Sequence, residues 1–63
     1  MKAREILEIL HNDGWFVIER KSGSHIQLKH PTKKGKVTLP DHGGADVAKG
    51  TLNSIMKQAG LKY

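Results

Sequence analysis

A histidine inside a purely basic stretch is the part of this 63-residue sequence with the clearest chemical meaning. From Arg20 to Pro40 the chain has six lysine or arginine residues and no aspartate or glutamate, and the triplet Gly23-Ser24-His25 lies within this stretch. Cations raise the local concentration of phosphates, and an imidazole can accept or release a proton near neutral pH. The pattern predicts chemistry on a polyanion, with RNA as the leading substrate.

The overall charge also favours an anionic partner. The formal net charge is +5, which is typical of proteins that bind nucleic acid, an acidic protein or an anionic surface. Four of the six acidic residues lie in the first 19 positions, so the positive charge is concentrated in the middle of the chain. The plainer interpretation is that these lysines only keep a small protein soluble.

The composition limits the class of protein. A chain of 63 residues is expected to form one domain, residues 1–63, with a small core. Because it has no cysteine, we expect neither disulfides nor thiolate metal sites, and the cytoplasm is the default location. The first ten residues are interrupted by charges, and there is no apolar run of about 18 residues. We therefore expect no signal peptide and no membrane partner.

Apolar residues at helical spacing predict one helix near each end of the chain. The first is predicted from about Lys2 to Asn12, with a stop at Gly14. Near the other end, we expect Thr51 to cap a helix that stops at Gly60. The apolar faces of the two helices consist of Ala3, Ile6, Leu7 and Leu10, and of Leu52, Ile55, Met56 and Ala59.

Three segments between the helices are typical of β-strands: Trp15 to about Lys21, His25 to Lys29, and Lys36 to Leu39. The predicted fold is therefore α+β in the order α-β-β-β-α, with both helices on one face of a three-stranded antiparallel sheet. The pattern does not decide whether Trp15 and Val17 or Phe16 and Ile18 face the helices. The exposed face of the sheet is expected to carry His25, Gln27, Lys29, Lys36 and Thr38.

Four stretches of the sequence together resemble the HicA family of small bacterial and archaeal toxins, also called YcfA-like. They are Asp13-Gly14-Trp15; Gly23-Ser24-His25; Lys29-His30-Pro31 with Val37-Thr38-Leu39-Pro40; and His42-Gly43 with Lys49-Gly50-Thr51-Leu52 and Gln58-Ala59-Gly60-Leu61. The resemblance implies a fold similar to a double-stranded-RNA-binding domain, in agreement with the element order above. The interval between Gly14 and Gly23 is about one residue longer than is usual in the family, which leaves the register of the first strand open.

The resemblance also implies a function. Toxins of this family belong to type II toxin-antitoxin systems and are mRNA interferases, endoribonucleases that cleave messenger RNA and arrest translation. A partner antitoxin of the HicB family neutralises them. The family's catalytic histidine falls on His25. We therefore expect mRNA and a HicB-like antitoxin as partners, no cofactor, and a role in the stress response.

The chemistry at His25 is that of a general base. RNA can be cleaved by its own 2′-hydroxyl once a base takes the proton, and nearby cations would stabilise the charge that develops on the phosphate. No second proton-transfer group is evident. His30 and His42 are candidates, although the plainer interpretation of each is a solvated loop residue. His11 is interpreted as complementing the dipole of the first helix.

The sequence does not favour a metal site. Asp41 and Asp46, in a glycine-rich loop, are fewer hard ligands than Mg²⁺ usually takes, and the four histidines match no zinc motif. We therefore expect a nuclease that needs no metal ion.

Several polar and basic residues are candidates for RNA contacts. For Lys33 and Lys34, a merely solvated loop is an equally good interpretation, whereas Trp15 is expected in the core rather than as a platform for stacking bases. The backbone amides of residues 50–52 are a possible phosphate site that is compatible with capping by Thr51. The candidate RNA-binding residues are Arg20, Lys21, Ser24, Gln27, Lys29, Lys33, Lys34, Lys36 and Lys49.

Two other functions fit the same residues. The first is a non-catalytic RNA-binding module of the same fold, in which His25 only contacts the RNA. The second is a small interaction protein whose basic face binds an acidic partner. An RNA cleavage assay with intact protein and His25→Ala distinguishes the nuclease from both.

Overall fold

The computed structural model describes residues 1–21, 25–41, 44 and 46–61, and its elements follow the predicted order. The three strands form one antiparallel sheet in the order β1-β2-β3. The predicted α-β-β-β-α arrangement is therefore confirmed. The elements are α1 (Ala3–Asn12), β1 (Phe16–Lys21), β2 (His25–Lys29), β3 (Val37–Pro40) and α2 (Lys49–Gln58).

One hydrophobic core lies between the helices and the sheet. The predicted apolar faces of both helices supply it, together with alternate residues of β2 and β3. Burying each large apolar side chain contributes about 1.5 to 3 kcal/mol, so both helices are held on one face of the sheet. The buried residues include Ile6, Leu10, Trp15, Ile26, Leu28, Val37, Leu39, Leu52, Ile55 and Met56. No helix in the described part of the chain is long and apolar enough to cross a membrane.

Both helices end in the same motif, at the two glycines that the sequence predicts as stops. Gly14 (φ 106°) and Gly60 (φ 73°) have left-handed backbone conformations, which glycine adopts without steric cost. The N–H of Trp15 donates to the Leu10 carbonyl at 2.9 Å, and the N–H of Leu61 donates to the Met56 carbonyl at 2.8 Å. These bonds satisfy carbonyls that would otherwise be unpaired at the helix ends.

The predicted start of α2 is wrong by three residues, since the expected N-cap was Thr51 and the observed N-cap is Ala48. The helix begins at Lys49, and Ala48 occupies the cap position without a side-chain hydrogen bond. The N–H of Leu52 donates to the Ala48 carbonyl at 2.9 Å, so helical bonding has begun before Thr51 is reached. Thr51 is therefore an exposed residue of the first turn rather than the N-cap.

A β-bulge in β1 determines which residues of that strand face the helices. Val17 pairs with Leu28 and Glu19 pairs with Gln27, so Ile18 is an extra residue on the β1 side. Trp15 is 2% exposed, whereas Phe16 and Ile18 are 46% and 42% exposed. Trp15 and Val17 therefore face the core, and the bulge reverses the alternation for the rest of the strand.

Candidate functional site

The face of the sheet opposite the helices carries three rows of paired residues, and we call it the outer face. Directly paired residues on neighbouring strands project to the same side. Since Ile26 and Leu28 are buried against the helices, the residues that alternate with them project outward. The rows are Lys21, His25 and Pro40; Glu19, Gln27 and Thr38; and Phe16 with Lys29. The predicted outward positions of His25, Gln27, Lys29 and Thr38 are confirmed, whereas Lys36 precedes β3.

His25 is the first residue of β2 and lies in the middle of one of these rows. It is exposed and pairs with Lys21 on one side and Pro40 on the other. Within the described part of the chain, its imidazole makes no hydrogen bond or ion pair with another residue. The ring is therefore available to exchange a proton with a bound substrate.

The structure groups some of the predicted RNA-contact residues around His25 and separates others. Lys21, Gln27 and Lys29 share the outer face with it, and exposed Lys36 directly precedes β3. Arg20 pairs with buried Ile26, which places it on the side of the sheet where the helices pack. Two further candidates, exposed Lys34 and Lys49, lie in the loop after β2 and in α2, and Ser24 lies outside the described residues.

Lys33 has a structural role that the sequence did not reveal. Its ammonium group donates to the Asp13 carboxylate at 2.6 Å and to the Ala59 carbonyl at 2.9 Å. Asp13 and Ala59 cap the C-terminal ends of α1 and α2. Lys33 therefore joins both helix ends to the loop after β2.

His30 joins Asp13, Lys33 and Ala59 in a group that we call the helix-end cluster, and its interpretation as a solvated loop residue is wrong. Its side chain is 8% exposed and its Nε2 lies 2.6 Å from the Asp13 carbonyl oxygen. Its Nδ1 accepts the backbone N–H groups of Thr32 and Lys33, each at 3.1 Å. The ring also packs edge-on against Trp15, with 5.2 Å between centroids. These bonds occupy both ring nitrogens, so His30 is not available as a second proton-transfer group.

The carboxylate at the centre of the helix-end cluster is stabilised in its charged form. The Lys33 hydrogen bond is the main reason that the pKa of Asp13 is lowered from its ordinary value, and partial burial opposes it. The buried Trp15 indole N–H makes no hydrogen bond within the described residues. The cluster therefore depends on a deprotonated Asp13.

The two remaining histidine predictions, for His11 and His42, have different outcomes. His11 is exposed in the last turn of α1, as its predicted role at the helix dipole requires. His42 lies outside the described residues. Among the residues that the structure describes, no three histidine, aspartate or glutamate side chains are close enough together to hold a metal ion.

Sequence reasoning missed three residues that share the outer face or its edge. Glu19 pairs with Gln27, so a carboxylate lies on a face for which the sequence predicted no acidic residue. Phe16 and Ile18 are large apolar side chains exposed on β1, which is an edge strand of the sheet. Only the extra residue between Gly14 and Gly23 signalled the bulge that produces this arrangement.

The fold and the outer face define a small basic α+β protein with an open sheet, on which His25 has no bonding partner among the described residues and lies beside Lys21. A model of the family described as "HicA toxin of bacterial toxin-antitoxin" matches residues 3–61. The chain belongs to the HicA toxin family, which supports a toxin role.

A solved structure supports the same assignment. The chain is similar to a chain of a toxin-antitoxin complex from Streptococcus pneumoniae, at 33% sequence identity and a TM-score of 0.76, over 97% of this chain and 98% of the matched chain. No functionally curated protein matches the sequence.

Proposed function

We propose that this toxin is an endoribonuclease that cleaves mRNA without a metal ion and arrests translation, and that His25 is its general base. The observation that carries this proposal is the position of His25. It is exposed on the outer face, it makes no bond to another described residue, Lys21 lies in the same row, and Lys29 lies on the same face two rows away. A residue buried for structural reasons, as His30 is, has none of these properties.

The proposed reaction uses the 2′-hydroxyl of the RNA as the nucleophile. His25 takes the proton of this hydroxyl, the 2′-oxygen bonds to the adjacent phosphorus, and the bond from phosphorus to the 5′-oxygen breaks. The departing oxygen takes a proton from solvent, which reaches this exposed face. The products are a 2′,3′-cyclic phosphate and a 5′-hydroxyl, and the charge of Lys21, which pairs directly with His25, stabilises the transition state.

The decisive experiment compares His25→Ala with His11→Ala in an RNA cleavage assay. Removal of the base is expected to reduce cleavage by at least about 100-fold, the low end for a positioned general base. His11 is an exposed histidine on α1, so its variant is expected to retain wild-type activity. Cleavage by His25→Ala at the wild-type rate, with an unchanged circular dichroism spectrum, would refute the proposal and favour the RNA-binding module.

Two substrate and buffer changes test the route of the reaction. A chelator is expected to leave the cleavage rate unchanged. A single deoxyribose at the cut site is expected to stop the reaction there, because the nucleophile is missing. Cleavage at the deoxyribose would instead indicate attack by water.

The salt dependence of RNA affinity tests the lysines of the outer face. Each phosphate contact on a single strand contributes about −0.7 to the log-log slope of affinity against salt. Lys21→Gln and Lys29→Gln are each expected to make this slope shallower by that amount. Lys57→Gln is the matched control, since Lys57 is exposed at the far end of α2. Equal slopes in all variants would remove these lysines from the RNA interface.

We further propose that a HicB-like antitoxin inhibits the toxin by covering the outer face. Phe16 and Ile18 offer apolar area at its edge, and the adjacent lysines favour a net acidic partner whose binding weakens with salt. Hydrogen exchange is expected to show β2 protected in the complex. If Phe16→Ser leaves antitoxin affinity unchanged and β2 is equally exposed in free and bound toxin, the antitoxin binds elsewhere.

A further inference from the structure

A pocket of about 340 Å³ lies at the end of the sheet, on the side away from His25. The start of α1, the end of β1 and the segment after β3 enclose it. Arg20 lines the pocket and pairs with buried Ile26, whereas the next residue, Lys21, pairs with exposed His25. The two cations at the end of β1 therefore serve opposite faces of the sheet.

The rim of the pocket is cationic. Lys2, Arg4 and Arg20 all line it, and the N-terminus of α1 adds partial positive charge at the same place. The Lys2 ammonium group donates to the Gly44 carbonyl at 2.6 Å. Within the described part of the chain, neither guanidinium group makes a hydrogen bond or an ion pair. Two exposed guanidinium groups beside one cavity are well suited to a phosphate, whose oxygens accept paired N–H bonds.

The rest of the lining favours a phosphate that is attached to a larger group. Half-buried Leu7 and buried Ile26 provide an apolar wall. Asp41 also lines the pocket, and its carboxylate would repel a bare anion but accept a hydrogen bond from a hydroxyl or amino group. The volume is at the lower end of the range of about 300 to 1,000 Å³ that is usual for small-molecule sites.

We propose that this pocket binds one nucleotide. Arg4 and Arg20 hold its phosphate, Leu7 and Ile26 contact the base or ribose, and Asp41 accepts a hydrogen bond from a sugar hydroxyl or base amino group. The source of the nucleotide rests on the proposed function: in an RNA nuclease it is a residue of the substrate strand, which continues past the end of β1 to reach His25.

The test titrates wild-type protein separately with adenosine 5′-monophosphate, inorganic phosphate and adenosine. Binding is measured from the changes in amide chemical shifts. The monophosphate is expected to shift the amides of Arg4, Leu7 and Arg20, and to bind more tightly than either fragment. The double variant Arg4→Gln/Arg20→Gln is expected to bind it at least about tenfold more weakly, because charge-assisted hydrogen bonds are lost. Lys57→Gln, an exposed lysine on α2, is the control and is expected to bind normally.

Further arms separate the pocket from the nuclease activity. His25→Ala is expected to retain binding of the monophosphate, so a failure of the proposed nuclease function leaves this result standing. The nucleotide site would be overturned if the monophosphate does not shift the amides of Arg4 and Arg20, or if inorganic phosphate binds as tightly as the monophosphate. Uncleavable RNA is expected to bind the double variant more weakly than it binds Lys57→Gln. Equal RNA affinity would overturn the substrate-strand source and leave a site for free nucleotides.

Discussion

The two histidines of β2 and the loop that follows it have opposite environments. His25 is exposed on the outer face, with Lys21 paired beside it and no bond to another described residue. Five residues later, His30 is enclosed by Trp15 and Asp13, and both of its ring nitrogens are bonded. The bonds of His30 assign the proton to Nε2 and leave Nδ1 as an acceptor. The difference shows that residue type alone does not make a histidine available for catalysis.

The lysines also differ in their environments. Lys33 belongs to the helix-end cluster, where it bridges Asp13 and Ala59, whereas Lys21 lies beside His25 and Lys29 lies at the other end of β2, both exposed on the outer face. The helix-end cluster is therefore expected to control stability, and the outer face is expected to control activity. The predictions below test this separation.

The largest expected effect on stability comes from His30→Ala. The substitution leaves the Asp13 carbonyl and two backbone N–H groups without their partner and opens space beside Trp15. We expect a loss of about 2 to 4 kcal/mol, which lowers Tm by roughly 10 °C or more. His25→Ala is the matched variant and is expected to change stability by no more than about 0.5 kcal/mol, because it removes no buried contact. Thermal unfolding of both proteins measures this. Similar decreases in Tm would contradict the separation between a stabilising helix-end cluster and a functional outer face.

Gly14→Ala is expected to disturb the same cluster through the backbone. A Cβ on Gly14 would lie 2.8 Å from Nε2 of His30, and the φ of 106° is unfavourable for alanine. We expect a loss of about 2 to 3 kcal/mol, of which about 1 kcal/mol is the cost of the backbone conformation. Gly35→Ala measures the cost of the backbone conformation alone, since Gly35 has a φ of 85° and no atom near its Cβ position. Equal losses of unfolding free energy in the two variants would show that His30 moves away from the new Cβ without a free-energy cost.

Acid is expected to weaken the helix-end cluster through Asp13. The pKa of Asp13 is lower in the folded protein than its ordinary value, so the unfolded chain takes up this proton first as the pH falls. The contribution of Asp13 is complete above its unfolded pKa of about 3.9 and is lost as the pH falls through the lowered folded value. The difference in unfolding free energy between wild type and Asp13→Asn should therefore become smaller at low pH, because the wild type loses the contribution of charged Asp13 there. Urea unfolding from pH 6 to pH 2 measures this, and a constant deficit would contradict it.

Deletion of Ile18 is expected to have the smallest effect. Ile18 is the extra residue of the bulge, so its removal leaves Val17 opposite Leu28 and Glu19 opposite Gln27. Stability should stay within about 1 kcal/mol of wild type, and RNA cleavage should persist. Deletion of Gln27 is the control, because it places Ile26 next to Leu28 and destroys the alternation of β2. If the Ile18 deletion unfolds the protein, the bulge is essential to the fold.

Much of this architecture was predictable because it depends on local patterns. Helical periodicity, two glycine stops and the strict alternation of β2 were enough to predict the element order and the outward position of His25. The start of α2 was misplaced because a threonine suggested a cap, whereas α2 begins after Ala48 without a side-chain cap.

The sequence by itself therefore determined the α-β-β-β-α order and the exposed, basic setting of His25, since both follow from side-chain period and charge. Tertiary structure decided the faces of β1. With regular alternation after Val17, Arg20 would have shared the face of His25, but the bulge places Glu19 and Lys21 there and directs Arg20 toward the pocket. A one-residue change of register reverses every later side chain, and the pairing energy that selects the register comes from β2 and the core, so the residues of β1 alone do not reveal it.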